Sequence, residues 1–193
     1  MVTLKYGNTN TFFIPAKRGG LLIDTDYAGT LPAFYKALKA NGLTLRDIAY
    51  LLPTHFHPDH VGLAGELTAQ GVTLLIADVQ RAHLHDPDPI FAREPHLCRQ
   101  PIDETMLRCI SCGESRAFLQ EFGIAGEIIA TPSHSPDSIS LILDDGDCFV
   151  GDLEPLPYLA AYEQNLPLQQ DWERVLSFHP KRVFYAHANP MLL

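Results

Sequence analysis

The chain has 193 residues, 46% of them hydrophobic and 19% charged, with a formal net charge of −9. That size and composition fit a globular domain with a substantial core. The acidic balance argues against a nucleic-acid partner and against anionic lipid, because both are held by Lys and Arg; a local basic patch is compatible with Arg93, Arg99 and Arg108, which are close in sequence.

Residues 2–6, 11–15 and 20–24 read as short strands. Residues 1–15 lack the basic, apolar and cleavage regions of a signal peptide and are expected to be a strand of the mature fold. Leu31, Phe34, Tyr35 and Leu38 follow helical spacing, with Thr30 as the expected cap and Gly42 past the end. Residues 48–52 form a continuous apolar run, the pattern of a strand buried on both faces. A helix is expected over about 60–70, ended by Gly71, and a strand over 72–77.

Residues 78–106 hold Pro87, Pro89, Pro95 and Pro101 with His83, His85 and His96. They read as a helix followed by a long loop, and loops of that length are often functional. Ser111 and Glu114 stand at capping-box spacing ahead of Phe118, Leu119 and Phe122, with Gly123 just beyond. Strands near 127–130, 138–143 and 147–150 follow. Asp171 is expected to cap a last helix running to Phe178, and 182–185 is a final strand. Strands fall in two groups, each followed by helices, which fits two packed sheets with helices outside. No repeat or linker divides the chain, so one domain over 1–193 is expected. No apolar run reaches the ~20 residues of a membrane span. The expected location is the cytoplasm, where Cys98, Cys109, Cys112 and Cys148 are free thiols.

The chemistry concentrates in Thr54-His55-Phe56-His57-Pro58-Asp59-His60, directly after the apolar run. Imidazole nitrogen and carboxylate oxygen together suit zinc, iron or manganese. In an extended segment, side chains at i and i+2 point the same way. His55 and His57 can therefore grip one ion, while Asp59 and His60, at the turn into a helix, can face a second. Three further polar residues follow apolar strands: His134 in Thr131-Pro132-Ser133-His134-Ser135, Asp152 after Gly151, and His187 between Ala186 and Ala188. Rigid strand ends can aim such side chains into one cleft.

With those residues in place, the chain resembles the metallo-β-lactamase-fold hydrolases over essentially its whole length. The matching motifs are THFHPDH at 54–60, TPSHSPDSISL at 131–141, GDL at 151–153 and YAHANP at 185–190, with LLIDTD at 21–26 as the early strand ending in Asp. The resemblance implies a mixed α/β fold, a four-layer αββα sandwich with metals at one edge. It implies one site from His55, His57 and His134, a second from Asp59, His60 and His187, and Asp152 bridging them. His57 stands where the flavodiiron branch usually has Glu, which favours the zinc hydrolases. Ser133, Asp26 and Ala186 with Ala188 replace glycines common in the family.

The expected cofactor is two divalent ions, zinc first, with iron or manganese also compatible with the donors. Two ions ~3.5–4 Å apart can hold a hydroxide, generated because zinc lowers the pKa of water to ~7. The expected function is hydrolysis of an ester, thioester, lactone or amide in a small molecule, with Asp59 or Asp152 as the catalytic carboxylate that orients the hydroxide or carries its proton. The alternative is a mononuclear-iron oxidoreductase of the persulfide dioxygenase type; a non-enzymatic metal-stabilised module fits less well, because the ligand set is complete. A homodimer is compatible with a short domain bearing apolar loops. Ser133 and Ser135 flank His134, but no separate base and orienting carboxylate make a serine triad of them. Cys109-Ile110-Ser111-Cys112 lacks a second cysteine pair for a structural zinc site and reads as two unlinked residues at a helix start. His83, His85 and His96 are candidate entrance residues, Tyr158 and Tyr162 candidate substrate contacts, and Trp172 a core residue. Residues 78–110 and 153–170 are expected to build the pocket.

Overall fold

Strand side chains alternate between faces, and in this chain both faces of the sheets are apolar. In the computed structural model, which describes residues 1–162 and 164–193, β1 (Val2–Leu4), β2 (Thr11–Ala16), β3 (Gly19–Ile23), β4 (Ile48–Leu52), β5 (Thr73–Ala77) and β6 (Leu107–Ile110) form a six-stranded sheet in sequence order. The first three strands are antiparallel, and β3 to β6 are parallel. Phe13, Leu22, Leu74 and Ile76 face one core; Phe12, Ile14, Leu21, Ile23, Leu75 and Ala77 face another. The second sheet has the order β11-β10-β9-β8-β7. Its strands are β7 (Gly126–Ala130), β8 (Ile139–Leu143), β9 (Asp147–Phe149), β10 (Arg182–Phe184) and β11 (Met191–Leu192).

Ile128, Ile139, Leu141, Phe149 and Phe184 of this sheet meet the first sheet in the central core. Helix α1 (Leu31–Ala40) lays Phe34, Ala37 and Leu38 on the outer face of the first sheet. Six helices are described in all: α2 (Pro58–Val61), α3 (Ala64–Thr68), α4 (Asp88–Phe91), α5 (Cys112–Phe122) and α6 (Leu166–Leu176) follow α1. α6 covers the outer face of the second sheet with Leu168, Trp172 and Val175. The result is the four-layer αββα sandwich. Trp172 and Phe34 are fully buried, and each such side chain contributes about 1.5–3 kcal/mol relative to exposure.

The layering brings the exits of β4, β7, β9 and β10 to one edge. Ile139 N donates to Thr54 O across the two sheets (2.9 Å), Val150 N to Phe184 O (3.1 Å) and Ala186 N to Gly151 O (3.0 Å). These bonds tie the exit of β4 to the start of β8, and the exits of β9 and β10 to each other, before any side chain is considered.

Several expectations are corrected. The helix over 60–70 is two short helices, α2 and α3, and it starts earlier, at Pro58, whose fixed φ suits a first turn. Between them Leu63 leaves helical geometry (φ −104°, ψ 4°), next to Gly62, where a Cβ would lie 2.3 Å from the backbone of Tyr27 and Ala28. Thr30 does not cap α1 through its side chain, because its hydroxyl donates to Tyr27 O instead. The capping box at Ser111 and Glu114 is present, and Gly123 ends α5 with φ +103°. Asp171 is not a cap: α6 begins after Asn165, whose Oδ1 accepts from Leu168 N, and Asp171 lies buried in mid-helix accepting from Ser133 N. Residues 78–106 hold 3-10 turns and α4 in place of one helix and a loop. Strands β6 and β11 add to the expected set; β6 is an edge strand with two exposed residues in its middle, which blurs the apolar run. No described helix is long and apolar enough to cross a membrane.

Candidate metal centre

Leaving β4, the chain bends at Thr54 and His55, is extended at His57 (φ −74°, ψ 151°) and turns into α2 at Pro58. His55 and His57 lie side by side, with ring centroids 4.4 Å apart. The turn sends Asp59 and His60 to the neighbouring position. His134, carried by the loop after β7, brings its Nε2 to 3.1 Å from His57 Nδ1. His187, after β10, places Nε2 3.2 Å from Asp59 Oδ2. All seven residues singled out in the sequence converge here.

They fall into two groups that could each hold a metal ion: His55, His57, His134 and Asp152, and Asp59, His60 and His187. Within each group the donor atoms lie within 4.8 Å of one another. Asp152 reaches both. Its Oδ2 is 3.8 Å from His55 Nε2 and 3.6 Å from His134 Nε2; its Oδ1 is 3.4 Å from both His60 Nε2 and His187 Nε2. His55 Nε2, His60 Nε2 and Asp152 Oδ1 are buried and have no hydrogen-bond partner among the described residues. Buried polar atoms without partners are costly, and metal coordination is one way to satisfy them. The donor set therefore fits divalent ions.

Electrostatics follow from the crowding. Burial, reinforced by His60, pushes the His55 pKa well below the ordinary histidine range. Burial acts the same way on His60, but Asp24 and Asp152 outweigh it and raise His60 to about 10. The hydrogen bond from His187 lowers Asp59 to about 2. Burial would raise Asp152, yet His60, His55 and His187 together bring it down to about 2. Burial lowers His134, and the bond to Asp59 raises His187.

A supporting layer is legible in the sequence as motif but not as role. Asp24 sits at φ +57° at the end of β3, accepts from Thr54 N at 2.6 Å, and places Oδ2 3.0 Å from His60 Nδ1. That partner holds the proton on Nδ1 and frees Nε2 for the site. Thr54 Oγ1 donates to Asp24 and lies 3.2 Å from His55 Nδ1, doing the same for His55. Asp26 accepts from Asn8 N and Tyr27 N, both at 2.6 Å, and so shapes the turn whose Asn8 carbonyl receives His187 Nδ1 at 3.2 Å. Asp137 accepts from Phe56 N (2.6 Å) and Ser135 Oγ (2.7 Å), locking the His55 segment to the His134 segment. The only sequence signal for Asp24 and Asp26 is their place at the end of LLIDTD.

Other residues named from sequence lie elsewhere. His83 pairs with Asp86 at 2.6 Å, and His85 with Asp88 at 2.9 Å and Glu104 at 3.2 Å. Neither these nor His96 join the two ligand groups, and no cysteine does. All four cysteines are free. Tyr158 is 58% exposed, whereas Tyr162 lines a small cavity that reaches His134 and Asp152. Of the two segments expected to build a pocket, 153–170 contributes to that cavity and 78–110 does not.

A family profile for the Metallo-beta-lactamase superfamily matches residues 4–187, and the chain belongs to that superfamily. Among curated relatives, it is 27% identical over 187 residues to "Beta-lactamase-like protein 2 homolog" of Drosophila melanogaster, covering 94% of this chain and 59% of that one. It is 28% identical over 143 residues to "Probable metallo-hydrolase MJ0888" of Methanocaldococcus jannaschii, covering 72% and 65%. The chain thus spans less than two thirds of either relative's length. A metallo-beta-lactamase family protein from Thermus thermophilus superposes with TM-score 0.75 at 21% identity, over 95% of this chain and 70% of that one. A protein crystallised in a di-iron-bound form superposes with TM-score 0.68 at 24% identity, over 99% and 93%. Superfamily and ligand cluster together support a metal-dependent enzyme of the metallo-hydrolase kind.

Proposed function

We propose that the chain is a dinuclear metal hydrolase, zinc being the first choice of ion, that cleaves an ester, thioester, lactone or amide of a small molecule. The observation that carries this reading is Asp152, whose two oxygens divide between the two ligand groups. A carboxylate so placed can serve two ions at once. His55, His57 and His134 would hold one, and Asp59, His60 and His187 the other. Bound there, divalent ions supply Lewis acidity, polarising a carbonyl oxygen and lowering the pKa of water toward ~7.

The chain's own residues then do the rest. Asp24 and Thr54 hold the Nδ1 protons of His60 and His55, so both rings present Nε2 in a fixed direction. Asp59 and Asp152, each held at about 2, are ionised at neutral pH. Asp59 is the more open of the two, with 39% of its side chain exposed against 16% for Asp152. Asp59 or Asp152 would orient a water in the site or carry its proton. Burial of His55 and His60 excludes bulk water from the floor of the site.

Elemental analysis of protein purified without added metal tests the reading, together with a panel of thioesters, lactones and carboxylic esters. The expected result is about two divalent ions per chain and turnover of at least one class. Asp152→Ala should lose both metal occupancy and activity; full activity in that variant would overturn the role of Asp152. One iron per chain with oxidation of a persulfide would replace hydrolysis by the mononuclear-iron alternative, whose donors this site also offers.

A further inference from the structure

Strand β4 leads into the metal-ligand segment at its exit, and a separate cavity of about 440 Å³ opens at its start. The first sheet contributes Arg18, from the turn between β2 and β3, Tyr50 of β4, Thr73 of β5 and Arg108 of β6. Helix α5 contributes Phe118, Glu121 and Phe122. None of the seven metal-centre residues lines this cavity. Its volume falls within the ~300–1,000 Å³ common to small-molecule sites.

Its body is aromatic. Tyr50 meets Phe118 and Phe122 edge-on, with ring centroids 5.4 and 5.0 Å apart. The Arg108 guanidinium stands over the Phe118 ring, 5.7 Å from its centroid, which favours that position for the cation. The polar groups are unspent. Arg81, Arg99, Arg116, Arg174 and Arg182 all pair with carboxylates, whereas the guanidinium groups of Arg18 and Arg108 make no hydrogen bond or ion pair with a described residue. Glu114, whose pKa Arg108 helps to lower, bonds to Ser111 instead. The hydroxyls of Tyr50 and Thr73, residues paired across β4 and β5, also have no hydrogen-bond partner among the described residues. Glu121 is the one acid among the described lining residues. At the end of α5, Phe122 O is taken by Lys17 N (3.3 Å), and the Lys17 side chain lies against Gly123, so a further cation stands at the rim.

We propose that this cavity binds a small aromatic anion, a flat ring bearing one carboxylate or sulfonate group, at a site separate from the metal centre. The ring packs against Tyr50 and Phe118, where an edge-to-face contact adds to the area buried. Arg108 meets the anionic group, its planar fork matching two oxygens, and the Tyr50 or Thr73 hydroxyl donates to the same group. Strands β3 and β6 are three spacings of ~4.8 Å apart, so Arg18 stands toward the other end of the groove and adds attraction from a distance. Two arginines against Glu121 leave the lining with a net positive charge, which selects against cations. A bare inorganic anion gains nothing from the three rings.

Calorimetry on the zinc-loaded protein at low salt tests the idea with three probes that share one ring: naphthalene-2-sulfonate, 2-naphthylmethanol and (2-naphthylmethyl)trimethylammonium. Inorganic sulfate is the control without a ring. The sulfonate should bind about tenfold more tightly than the alcohol, and the cation and sulfate more weakly than either. Arg108→Ala should weaken sulfonate binding about tenfold and Arg18→Ala about threefold, while Glu121→Gln should tighten it. Metal content should be unchanged in all three variants, since none of these residues belongs to the ligand groups. Amide NMR shifts on adding the sulfonate should gather at Thr73, Arg108 and Phe118. Absence of sulfonate binding, equal affinity for the alcohol or for sulfate, or indifference to Arg108→Ala would each overturn the site. Shifts gathered at His57 and His134 would do so as well, by placing the anion on the metal centre. No readout here uses turnover, so the result does not depend on which reaction the metal centre performs.

Discussion

Asp24 shows how much of the site rests on a residue that touches no ligand-facing atom. Its oxygens hold Thr54 N and face His60 Nδ1 at 3.0 Å. Removing it frees the His60 tautomer and leaves Thr54 N without its acceptor. Asp24→Ala should weaken metal affinity about 10- to 100-fold, read by competition with a chromogenic chelator; unchanged affinity would mean that packing alone holds His60. Glu66 gives a second prediction at this scale. It is buried and its Oε2 has no partner among the described residues, and burial raises its pKa. The folded chain therefore holds this proton more tightly than the unfolded chain. The stability linked to Glu66 is fully present below the ordinary glutamate range and is lost as pH rises through the raised value. Glu66→Gln should flatten the fall in stability across that window, measured by urea unfolding on either side of it. Identical pH profiles for the variant and the wild type would sink the idea.

Among the elements, α5 is specified locally. Ser111 N donates to Glu114 Oε2 (3.0 Å) and Glu114 N to Ser111 Oγ (3.3 Å), a reciprocal cap visible from spacing alone. Ser111→Ala should cost about 1 kcal/mol, a fall of about 2–4 °C in Tm, with no change in metal content. A larger loss, or a loss of metal, would show that α5 couples to the site. α2 and α3 are specified differently. Residues 58–70 read as one helix, and the need for glycine at 62 comes from the backbone of residues 26–28, far away in sequence. The same reasoning covers Asp171. Its type suggests a cap, but the chain uses it inside α6 to hold Ser133 beneath the His134 loop.

For the whole molecule, the ligand groups are gathered from four strand exits of two sheets, so metal binding is also a clasp between the sheets. Ions that bind the folded chain and not the unfolded one stabilise it by mass action, about 2.7 kcal/mol at a hundredfold excess over Kd. Treatment with a chelator should therefore lower Tm by on the order of 5–10 °C, and the loss should be restored by zinc. A Tm unmoved by chelation, in protein shown to have lost its metal, would mean that the sandwich holds the site rigid without help from the ions.

How much of this can be read from sequence divides along physical lines. Properties set by local spacing are legible. The strand of residues 48–52 and the capping box at Ser111 depend only on backbone periodicity and neighbouring residues. The ligand types are legible too, because clustered imidazole and carboxylate groups are rare without a purpose. What only the tertiary structure decided involves distance across the chain. The division of Asp152 between two groups and the holding of His60 by Asp24 and of His187 by the Asn8 turn arise where separate strand exits meet. No sequence window contains both partners, so packing of the two sheets had to bring them together.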